Sequence, residues 1–287
     1  MRVGLLLKPD KPEAVEIARE LCRFLVARAH AVVVAGDRVV GEPGVRTVDQ
    51  ERLSDEIDML VVLGGDGTLL HGAELVSDRG IPILGINLGT LGFLTSCKPD
   101  QGFEVLELAI AGRLTLERRM RLRVKLERPG ETPIVRYACN DAVISQGALA
   151  RLLEFETLLD GKPITTYRAD GLIVATPTGS TAYTLAAGGP IVSPDVHAMV
   201  LTPICPHTLS NRPLVLPATS RLGIRIGPSA RNVVLTFDGH WGIELRLDDH
   251  VEIHAANRPM LLYRPADITY FEILRSKLGW GERTRGG

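Results

Sequence analysis

The spacing of apolar residues divides the chain into a first part built of strands and helices and a second part built of strands. Four short apolar runs, at residues 3–7, 31–35, 59–63 and 81–86, are typical of buried strands. Between them, apolar residues recur every three or four positions, as on one face of a helix. Strands that are apolar throughout and alternate with helices predict a parallel sheet covered on both faces.

The helices of the first part have recognisable start signals. Asp10 and Glu13 have the spacing of a capping box, which predicts that a helix begins with Asp10 as its N-cap. A second helix is predicted to follow the glycine-rich turn at residues 64–68, and a shorter one is predicted at residues 103–111.

The hydrophobic period changes to two near residue 114, which indicates a strand with one polar face. Its apolar positions include Leu122 and Leu126, and its polar positions include Arg119 and Arg121. We interpret this basic face as solvated.

Strand-like runs continue to residue 263 and predict a largely antiparallel domain, with a typical hairpin turn at Asp160-Gly161. Residues 267–278 return to helical spacing, with an apolar stripe formed by Ile268, Phe271, Leu274 and Leu278. The predicted domains are an α/β domain at residues 1–114, joined by residues 267–287, and a β-rich domain at residues 115–266.

Composition and charge argue against several classes of function. The 287 residues are 45% hydrophobic and 23% charged, and their formal net charge of -1 argues against a partner that is a nucleic acid or a membrane surface. No apolar run approaches the roughly 20 residues that a membrane span requires. The four cysteines form no C-x-x-C pair, and Met1-Arg2 leads directly into the first strand. We therefore expect a reduced, cytoplasmic protein without a signal peptide.

The stretch Gly64-Gly65-Asp66-Gly67-Thr68 lies where a predicted strand ends and a helix begins. Glycines let the backbone approach a phosphate, and the N–H groups at a helix N-terminus point toward it. A carboxylate in such a turn repels phosphate unless it binds Mg²⁺ or accepts a proton from an attacking hydroxyl. The stretch therefore predicts phosphoryl transfer, and the alternative is a tight turn without chemistry.

Two further polar stretches follow strand-like runs. Residues 87–94 form a second glycine-rich loop, in which Phe93 packs either on a base or on the sheet. Asn140 and Asp141 offer both donors and acceptors, which suits sugar hydroxyls and a base edge, but an ordinary turn explains the pair equally well.

Three other groups of residues carry polar side chains near predicted turns. Residues 176–183 combine four hydroxyl side chains and a glycine at a predicted helix start, more than a simple N-cap requires. Arg168 and Asp170, considered in isolation, are interpreted as a surface ion pair. Asp238 and His240 belong either to a phosphate-facing turn or to a plain hairpin turn.

Several common signatures are missing from the sequence. It contains no G-x-x-x-x-G-K-[ST] P-loop, no G-x-G-x-x-G after a strand and no G-x-S-x-G elbow, and its seven histidines lack metal-ligand spacing. A P-loop enzyme is therefore excluded, and a dinucleotide-binding dehydrogenase is disfavoured.

Taken together, these stretches resemble the bacterial NAD kinases, also called ATP/polyphosphate NAD kinases. The resemblance covers nearly the whole chain and rests on residues 64–70, 87–94, 140–141, 167–171 and 176–183. The first of these is shared with diacylglycerol, sphingosine and phosphofructokinase-type kinases, whereas residues 176–183 are specific to the family. The family often has Glu at the position of Asp141, whose side chain is one methylene shorter.

The resemblance implies an N-terminal α/β domain with a parallel sheet, a β-rich C-terminal domain, an NAD site between them and a C-terminal helix that returns to the first domain. It also implies that ATP, with Mg²⁺ or another divalent metal, donates its γ-phosphate to the 2′-hydroxyl of the adenosine ribose of NAD, and that the chain forms homodimers or homotetramers.

The resemblance also assigns roles to individual residues. Asp66 would position or deprotonate the 2′-hydroxyl, with the ATP phosphates near Gly64, Gly65, Gly67 and Thr68. No direct protein ligand for the metal is assigned. Asp170 would lie beside the NAD site, in the same chain or from a neighbouring subunit. The NAD-binding residues would be Asp66, Gly67, Phe93, Asn140, Asp141, Arg168, Asp170, Thr178, Thr181, Ala182 and Tyr183.

A lipid kinase and a non-catalytic dinucleotide sensor are the alternative functions. A lipid kinase should show an apolar or amphipathic membrane face, and the sequence has no such run. A sensor has no need for Asp66 in the glycine turn. The use of polyphosphate instead of ATP, and of NADH instead of NAD, stays open.

Overall fold

The computed structural model describes residues 1–36, 40–76, 79–95, 97–146, 153–208, 210–227, 232–265 and 268–279, and the structural statements below refer to these residues. Residue 267, the predicted start of the last helix, and the tail after residue 279 lie outside them. No helix in the described ranges is long and apolar enough to cross a membrane.

The chain folds into two compact units, Met1–Arg118 with Met260–Gly287, and Arg119–Pro259. The elements up to the first boundary are β1 (Arg2–Leu7), α1 (Pro12–Ala27), β2 (Ala31–Ala35), β3 (Val45–Val48), α2 (Leu53–Glu56), β4 (Met59–Gly64), α3 (Asp66–Leu75), β5 (Ile83–Asn87), α4 (Gly102–Ile110) and β6 (Thr115–Arg119).

The second unit consists mainly of strands. Its elements are β7 (Leu122–Glu127), β8 (Ile134–Ala138), β9 (Asp141–Gln146), β10 (Leu153–Leu159), β11 (Lys162–Ala169), β12 (Gly171–Ala175), α5 (Tyr183–Ala186), β13 (Ala198–Ile204), β14 (Leu214–Pro217), β15 (Leu222–Ile226), β16 (Val233–Phe237), β17 (Trp241–Leu245) and β18 (His250–Ala255). The chain then returns to the first unit with β19 (Met260–Arg264) and α6 (Tyr270–Leu278). Short 3₁₀ helices occupy Gln50–Arg52, Pro99–Gln101 and Thr178–Thr181.

The first unit is built on a seven-stranded sheet in the order β3-β2-β1-β4-β5-β19-β6. Neighbouring strands from β3 to β5 pair in parallel, and β19 also pairs in parallel with β5. Because Leu7 pairs with Leu63 and Gly64 with Asn87, the carboxyl ends of β1, β4 and β5 meet at one edge of the sheet. Ligands of open parallel sheets bind at such an edge.

Helices cover both faces of this sheet, as the continuous apolar strands predict. On one face, α1 and α4 bury residues such as Leu21 and Leu106 against Leu5 and Val61. On the opposite face, the Cα of Gly72 in α3 lies against Leu6 and two residues of β4. Successive side chains of a strand point to opposite faces, so the sheet needs apolar residues at every position.

The second unit is a sandwich of two six-stranded antiparallel sheets. Their orders are β11-β10-β15-β18-β7-β8 and β14-β13-β12-β9-β16-β17. Side chains of both sheets share one core, including Val124 and Phe155 from the first sheet and Ile144 and Leu235 from the second. The predicted hairpin between β10 and β11 is confirmed, and its turn residue Asp160 has the positive φ of +51° that such a turn requires.

The fold class is confirmed, but β19 differs from the prediction. We expected residues 260–263 to complete the antiparallel domain, whereas β19 adds to the parallel sheet of the first unit. The apolar pattern of a five-residue strand carries no information about which sheet it joins.

Three local predictions were wrong for identifiable reasons. The N-cap of α1 is Lys11, whose side chain makes no capping hydrogen bond, because Pro12 starts the helix in place of the predicted box at Asp10. Arg119 and Arg121 are buried, not solvated, and the Nε of Arg121 donates to the carbonyl of Arg258 at 3.0 Å. In α6 the buried residues are Ile273 and Leu274, whereas Phe271, predicted on the buried stripe, is 55% exposed.

Candidate active site

The glycine turn lies at the carboxyl edge of the parallel sheet. β4 ends at Gly64, Gly65 is the N-cap of α3, and Asp66 is the first residue of that helix. The first N–H groups of an α-helix have no acceptor within the helix, so Asp66, Gly67 and Thr68 present donors at this edge. The turn therefore has the geometry of an anion site, with one carboxylate inside it.

The carboxylate of Asp66 binds the loop that follows β5. Its Oδ2 accepts the N–H of Phe93 at 2.7 Å, and its Oδ1 accepts the N–H groups of Leu94 and Thr95 at 3.1 and 2.9 Å. The hydroxyl of Thr95 also donates to Oδ1, at 2.8 Å. Asp66 thus joins the two glycine-rich stretches, which the sequence analysis treated separately.

The rest of this loop is organised by Asn87, the last residue of β5. Its Nδ2 donates to the Thr90 carbonyl at 2.8 Å and to the Thr95 hydroxyl at 2.9 Å, and its Oδ1 accepts the N–H of Gly89 at 2.8 Å. Phe93 is half-buried, with its ring centroid 6.4 Å from that of Tyr270, so it packs on the last helix.

Lys11 brings a positive charge to the same edge of the sheet. It follows β1, and its Nζ donates to the carbonyl of Leu88, after β5, at 2.5 Å. Because β4 lies between β1 and β5, this side chain crosses the end of β4, where the glycine turn begins. The N–H of Leu88 in turn donates to the carbonyl of Gly64 at 3.4 Å.

In the second unit, Asn140 and Asp141 lie over the carboxylate of Asp238. That carboxylate accepts three consecutive N–H groups, from Cys139 at 2.8 Å, Asn140 at 2.7 Å and Asp141 at 3.1 Å. Asp238 has φ +50°, and its own N–H donates to the Asp141 carbonyl at 3.0 Å. The turn at 238–240 therefore supports the Asn140-Asp141 pair through backbone hydrogen bonds.

The hydroxyl-rich stretch at 176–183 is bound to the same pair. The Thr176 hydroxyl donates to the Cys139 carbonyl at 2.6 Å, and its N–H donates to the Asn140 carbonyl at 2.8 Å. A Cβ on Gly179 would lie 2.0 Å from the Asn140 carbonyl oxygen, so only glycine fits there. Asp141 accepts the N–H of Tyr183 at the start of α5.

The predicted ligand residues of this stretch differ in exposure. Thr178 is buried, Thr181 and Ala182 are half-buried, and Tyr183 is 48% exposed. Tyr183 is therefore not part of the core. The structure brings these residues together with Asn140.

Burial changes the titration of both carboxyl groups in this cluster. Burial raises the pKa of Asp141 to about 7, and the nearby Asp238 adds to the rise, while the N–H of Tyr183 opposes it. Burial also raises the pKa of Asp238, opposed by the three N–H groups that its carboxylate accepts. Asp141 is only 4% exposed, so water screens this pair weakly.

Arg168 and Asp170 lie elsewhere in the second unit. In the pairing of β12 with β9, Ala175 faces Asp141, but Gly171, next to Asp170, faces Ser145. At about 3.3 Å per residue, Asp170 is therefore roughly 17 Å along the strand from the Asn140-Asp141 pair. Both residues are exposed, and Arg168 pairs with Glu154 at 2.8 Å instead of Asp170.

Sequence reasoning missed two residues near the predicted site and the role of a third. Lys11 gave no motif signal, and Thr95 lies just beyond the loop that we singled out. Asp238 was noticed as a turn carboxylate, but its partners lie 97 to 99 residues away in the sequence. Within the described ranges, no group of three or more His, Cys, Asp or Glu side chains is arranged to hold a metal ion.

Solved structures place this fold in the class of kinases that act on nicotinamide dinucleotides. The chain is similar to yeast NADH kinase, solved with NADH, with a TM-score of 0.90 and 32% identity over 100% of this chain and 90% of that one. It is also similar to an NAD kinase from Archaeoglobus fulgidus, solved with ATP, with a TM-score of 0.77 and 25% identity over 97% and 99% of the two chains.

Family models and curated relatives agree with this class. The ATP-NAD kinase N-terminal domain matches residues 3–114, and the ATP-NAD kinase C-terminal domain matches residues 139–264. The NAD kinases of Geotalea daltonii and Geobacter metallireducens are 43% and 44% identical to the chain, over 98% of it and 99% of each relative. The chain therefore belongs to the ATP-NAD kinase family. These matches do not favour a lipid kinase or a non-catalytic sensor.

Proposed function

We propose that the protein transfers the γ-phosphate of ATP to the 2′-hydroxyl of the adenosine ribose of NAD, yielding NADP and ADP. The observation that carries this proposal is the carboxylate of Asp66 inside the glycine turn at the N-terminus of α3. A turn that only bound phosphate would exclude this negative charge, whereas a phosphoryl-transfer site needs an acceptor for the hydroxyl proton.

The donor phosphates bind at the first turn of α3. Gly64, Gly65, Gly67 and Thr68 form this turn: Gly67 and Thr68 present backbone N–H groups, and the open space beside Gly65 allows close approach of the phosphate oxygens. Lys11 supplies the positive charge that these residues lack. Its ammonium has three donors, and the bond to Leu88 uses one of them.

Asp66 accepts the proton of the attacking 2′-hydroxyl. The new bond joins the 2′-oxygen to the γ-phosphorus, the bond from that phosphorus to the β–γ bridging oxygen breaks, and ADP leaves with the electron pair. Positioning and charge neutralisation supply most of the rate in such transfers.

NAD is bound by the cluster around Asn140 and Asp141, together with Thr178, Thr181, Ala182 and Tyr183. The amide and carboxyl groups suit ribose hydroxyls, and the exposed ring of Tyr183 suits the flat surface of the nucleoside. Phe93, Asp66 and Gly67 complete the acceptor contacts in this proposal.

Arg168 and Asp170 take part in NAD binding from a neighbouring subunit. Asp170 directly precedes β12, whose opposite end pairs with Asp141, and Arg168 lies on β11. This placement supports a role in the site of another copy of the chain, not in the site of their own chain. The protein accordingly acts as a homodimer or homotetramer. In the described residues none of its four cysteines forms a disulfide, which supports a reducing, cytoplasmic setting.

Mg²⁺ bound together with ATP would neutralise charge on the phosphates. Such an ion keeps several waters and needs only one or two carboxylates in addition to phosphate oxygens. Phosphate oxygens and waters would supply its ligands here, and no direct protein ligand is assigned, because four hydrogen bonds already occupy the carboxylate of Asp66.

The direct test incubates purified protein with Mg-ATP and NAD and measures NADP with an NADP-specific dehydrogenase. We expect NADP to accumulate and its formation to stop when a chelator removes the metal. Replacing ATP by polyphosphate, and NAD by NADH, defines the donor and the acceptor. Tight NAD binding without turnover for any donor would indicate a sensor, and phosphorylation of diacylglycerol vesicles would indicate a lipid kinase.

A further inference from the structure

The amide of Asn87 has one orientation that satisfies its surroundings. Its Oδ1 faces a donor, the N–H of Gly89, and its Nδ2 faces an acceptor, the carbonyl of Thr90, both at 2.8 Å. Turning the amide over would set a donor against a donor and an acceptor against an acceptor. Asn87 is 3% exposed, so water does not relieve such a mismatch.

The orientation of Asn87 determines where the Thr95 hydroxyl donates. Nδ2 of Asn87 donates to the Thr95 oxygen at 2.9 Å, so the hydroxyl proton of Thr95 points away from it. The acceptor on the other side is Oδ1 of Asp66 at 2.8 Å. Thr95 is fully buried, and the chain of hydrogen bonds therefore runs in one direction, from Asn87 to Thr95 to Asp66.

Close packing prevents Asp66 from turning away from this donor. A Cβ on Gly92 would lie 2.0 Å from Oδ1 of Asp66 and 2.5 Å from the hydroxyl oxygen of Thr95. The backbone at Gly92 thus closes one side of the carboxylate, and the N–H groups of residues 93–95 close another.

The two carboxylate oxygens of Asp66 differ in how many further hydrogen bonds they can accept. A carboxylate oxygen offers about two acceptor positions, and Oδ1 already accepts three hydrogen bonds. Among the described residues, Oδ2 accepts only the N–H of Phe93. We propose that Thr95, oriented by Asn87, is a positioning residue that directs the open acceptor position of Asp66 Oδ2 toward the hydroxyl that receives the phosphate.

This inference rests on the proposed kinase function and adds a constraint to it. The proton of the attacking hydroxyl moves to Oδ2, while Oδ1 stays bound to the loop. Thr95 touches neither substrate, so its loss should change the chemical step and leave substrate binding almost intact.

The test compares Thr95→Val, which removes the hydroxyl at nearly constant volume, with Thr95→Ser, which keeps it. We expect Thr95→Val to lower kcat about 10- to 100-fold, the scale of a misplaced catalytic group, with KM for NAD and for ATP within about threefold of wild type. Thr95→Ser should restore kcat to within about threefold.

Thr157→Val is the matched control. Thr157 is also fully buried, and its hydroxyl donates to the Thr165 carbonyl at 2.7 Å, but it lies in the second unit. This variant should lose thermal stability in the same way as Thr95→Val while its kcat stays near that of wild type. If kcat falls in both variants in proportion to the loss of melting temperature, the positioning role of Thr95 is overturned.

Two further outcomes are decisive. If Thr95→Val does not fold, Thr95→Cys provides a weak donor of similar size; its kcat should lie below that of Thr95→Ser, and equal values would overturn the inference. A wild-type protein that makes no NADP refutes the proposed function instead, whereas an active wild type with an unimpaired Thr95→Val refutes only the role of Thr95.

Discussion

Asp238 accepts the backbone N–H of Asn140 at 2.7 Å, across 98 positions of the sequence. The same carboxylate also accepts the N–H groups of Cys139 and Asp141, so one side chain fixes the path of three successive residues. The position of the Asn140-Asp141 pair therefore depends on Asp238, whose carboxylate binds the backbone of that pair.

Asp238→Asn should weaken both the fold and NAD binding. The amide has the same shape, but its NH₂ group must face at least one of the three N–H donors. A buried donor without an acceptor costs about 1–3 kcal/mol, so the free energy of unfolding should fall by this amount. Urea denaturation measures the change, and KM for NAD should rise as the pair shifts. Unchanged stability and KM would show that the three hydrogen bonds are dispensable.

The pH dependence of stability should report the protonation of Asp141. Its pKa is about 7 in the folded protein and 3.8 for the free side chain, so between these values the folded state holds a proton that the unfolded state has released. Stability should therefore fall as pH rises from about 4 to about 7 and level off above it, by a few kcal/mol at about 1.4 kcal/mol per pKa unit.

Asp141→Asn separates this contribution from that of Asp238, whose raised pKa acts in the same direction. The difference in unfolding free energy between wild type and variant should change across this pH range. A difference that is constant with pH would contradict the assignment.

Asp66→Asn should lower kcat by about 10²–10⁴, because a positioned base is lost. The structure adds a second effect. The new NH₂ group would face the N–H of Phe93 or the donors at Oδ1, so the loop at residues 93–95 should also loosen. We expect a lower melting temperature together with the lower kcat. A folded variant with near-normal kcat would remove Asp66 from its proposed role.

Lys11→Met should raise KM for ATP more than KM for NAD. A charged hydrogen bond contributes about 1.5–3 kcal/mol, which corresponds to roughly a 10- to 150-fold loss of affinity. Lys162→Met is the control, since Lys162 is exposed on β11 in the second unit and its loss changes the net charge equally. Equal effects of the two variants on KM for ATP would rule out a specific phosphate contact by Lys11.

Tyr183→Ala should raise KM for NAD by about 5- to 150-fold, the equivalent of 1–3 kcal/mol of stacking on an aromatic ring. KM for ATP should change less. Because Tyr183 is 48% exposed, the variant should keep nearly the melting temperature of the wild type without ligand. The informative measurement is the increase of that temperature on adding NAD. A variant that keeps the full increase would show that the nucleoside binds elsewhere.

The strands of the first unit were predictable because a parallel sheet buries both faces, and this leaves uninterrupted apolar runs such as that of β4. β3 was missed for the opposite reason, since this edge strand has no buried residue in Val45–Val48. Arg121 was misjudged because its partners, the carbonyl of Arg258 and the ring of Tyr137, are remote in sequence.

In the candidate site, too, features formed by contiguous residues were predictable, whereas contacts between residues remote in sequence were not. The glycine turn was recognisable because strand, glycines and helix start are contiguous. The contact of Asp66 with Thr95 was not, because it depends on how two strand ends lie side by side, 29 positions apart. The pairing of Asp238 with Asn140 likewise arises only when the second sheet has formed.

The contact between Gly179 and Asn140 also sets a limit for protein engineering. Position 179 meets backbone atoms, which no choice of rotamer can move aside, so every replacement there shifts the chain of the neighbouring segment. The side chains of Thr181 and Tyr183 project from this part of the backbone and can be varied without shifting it. A library designed to accept altered dinucleotides should therefore randomise these side chains and leave the glycine unchanged.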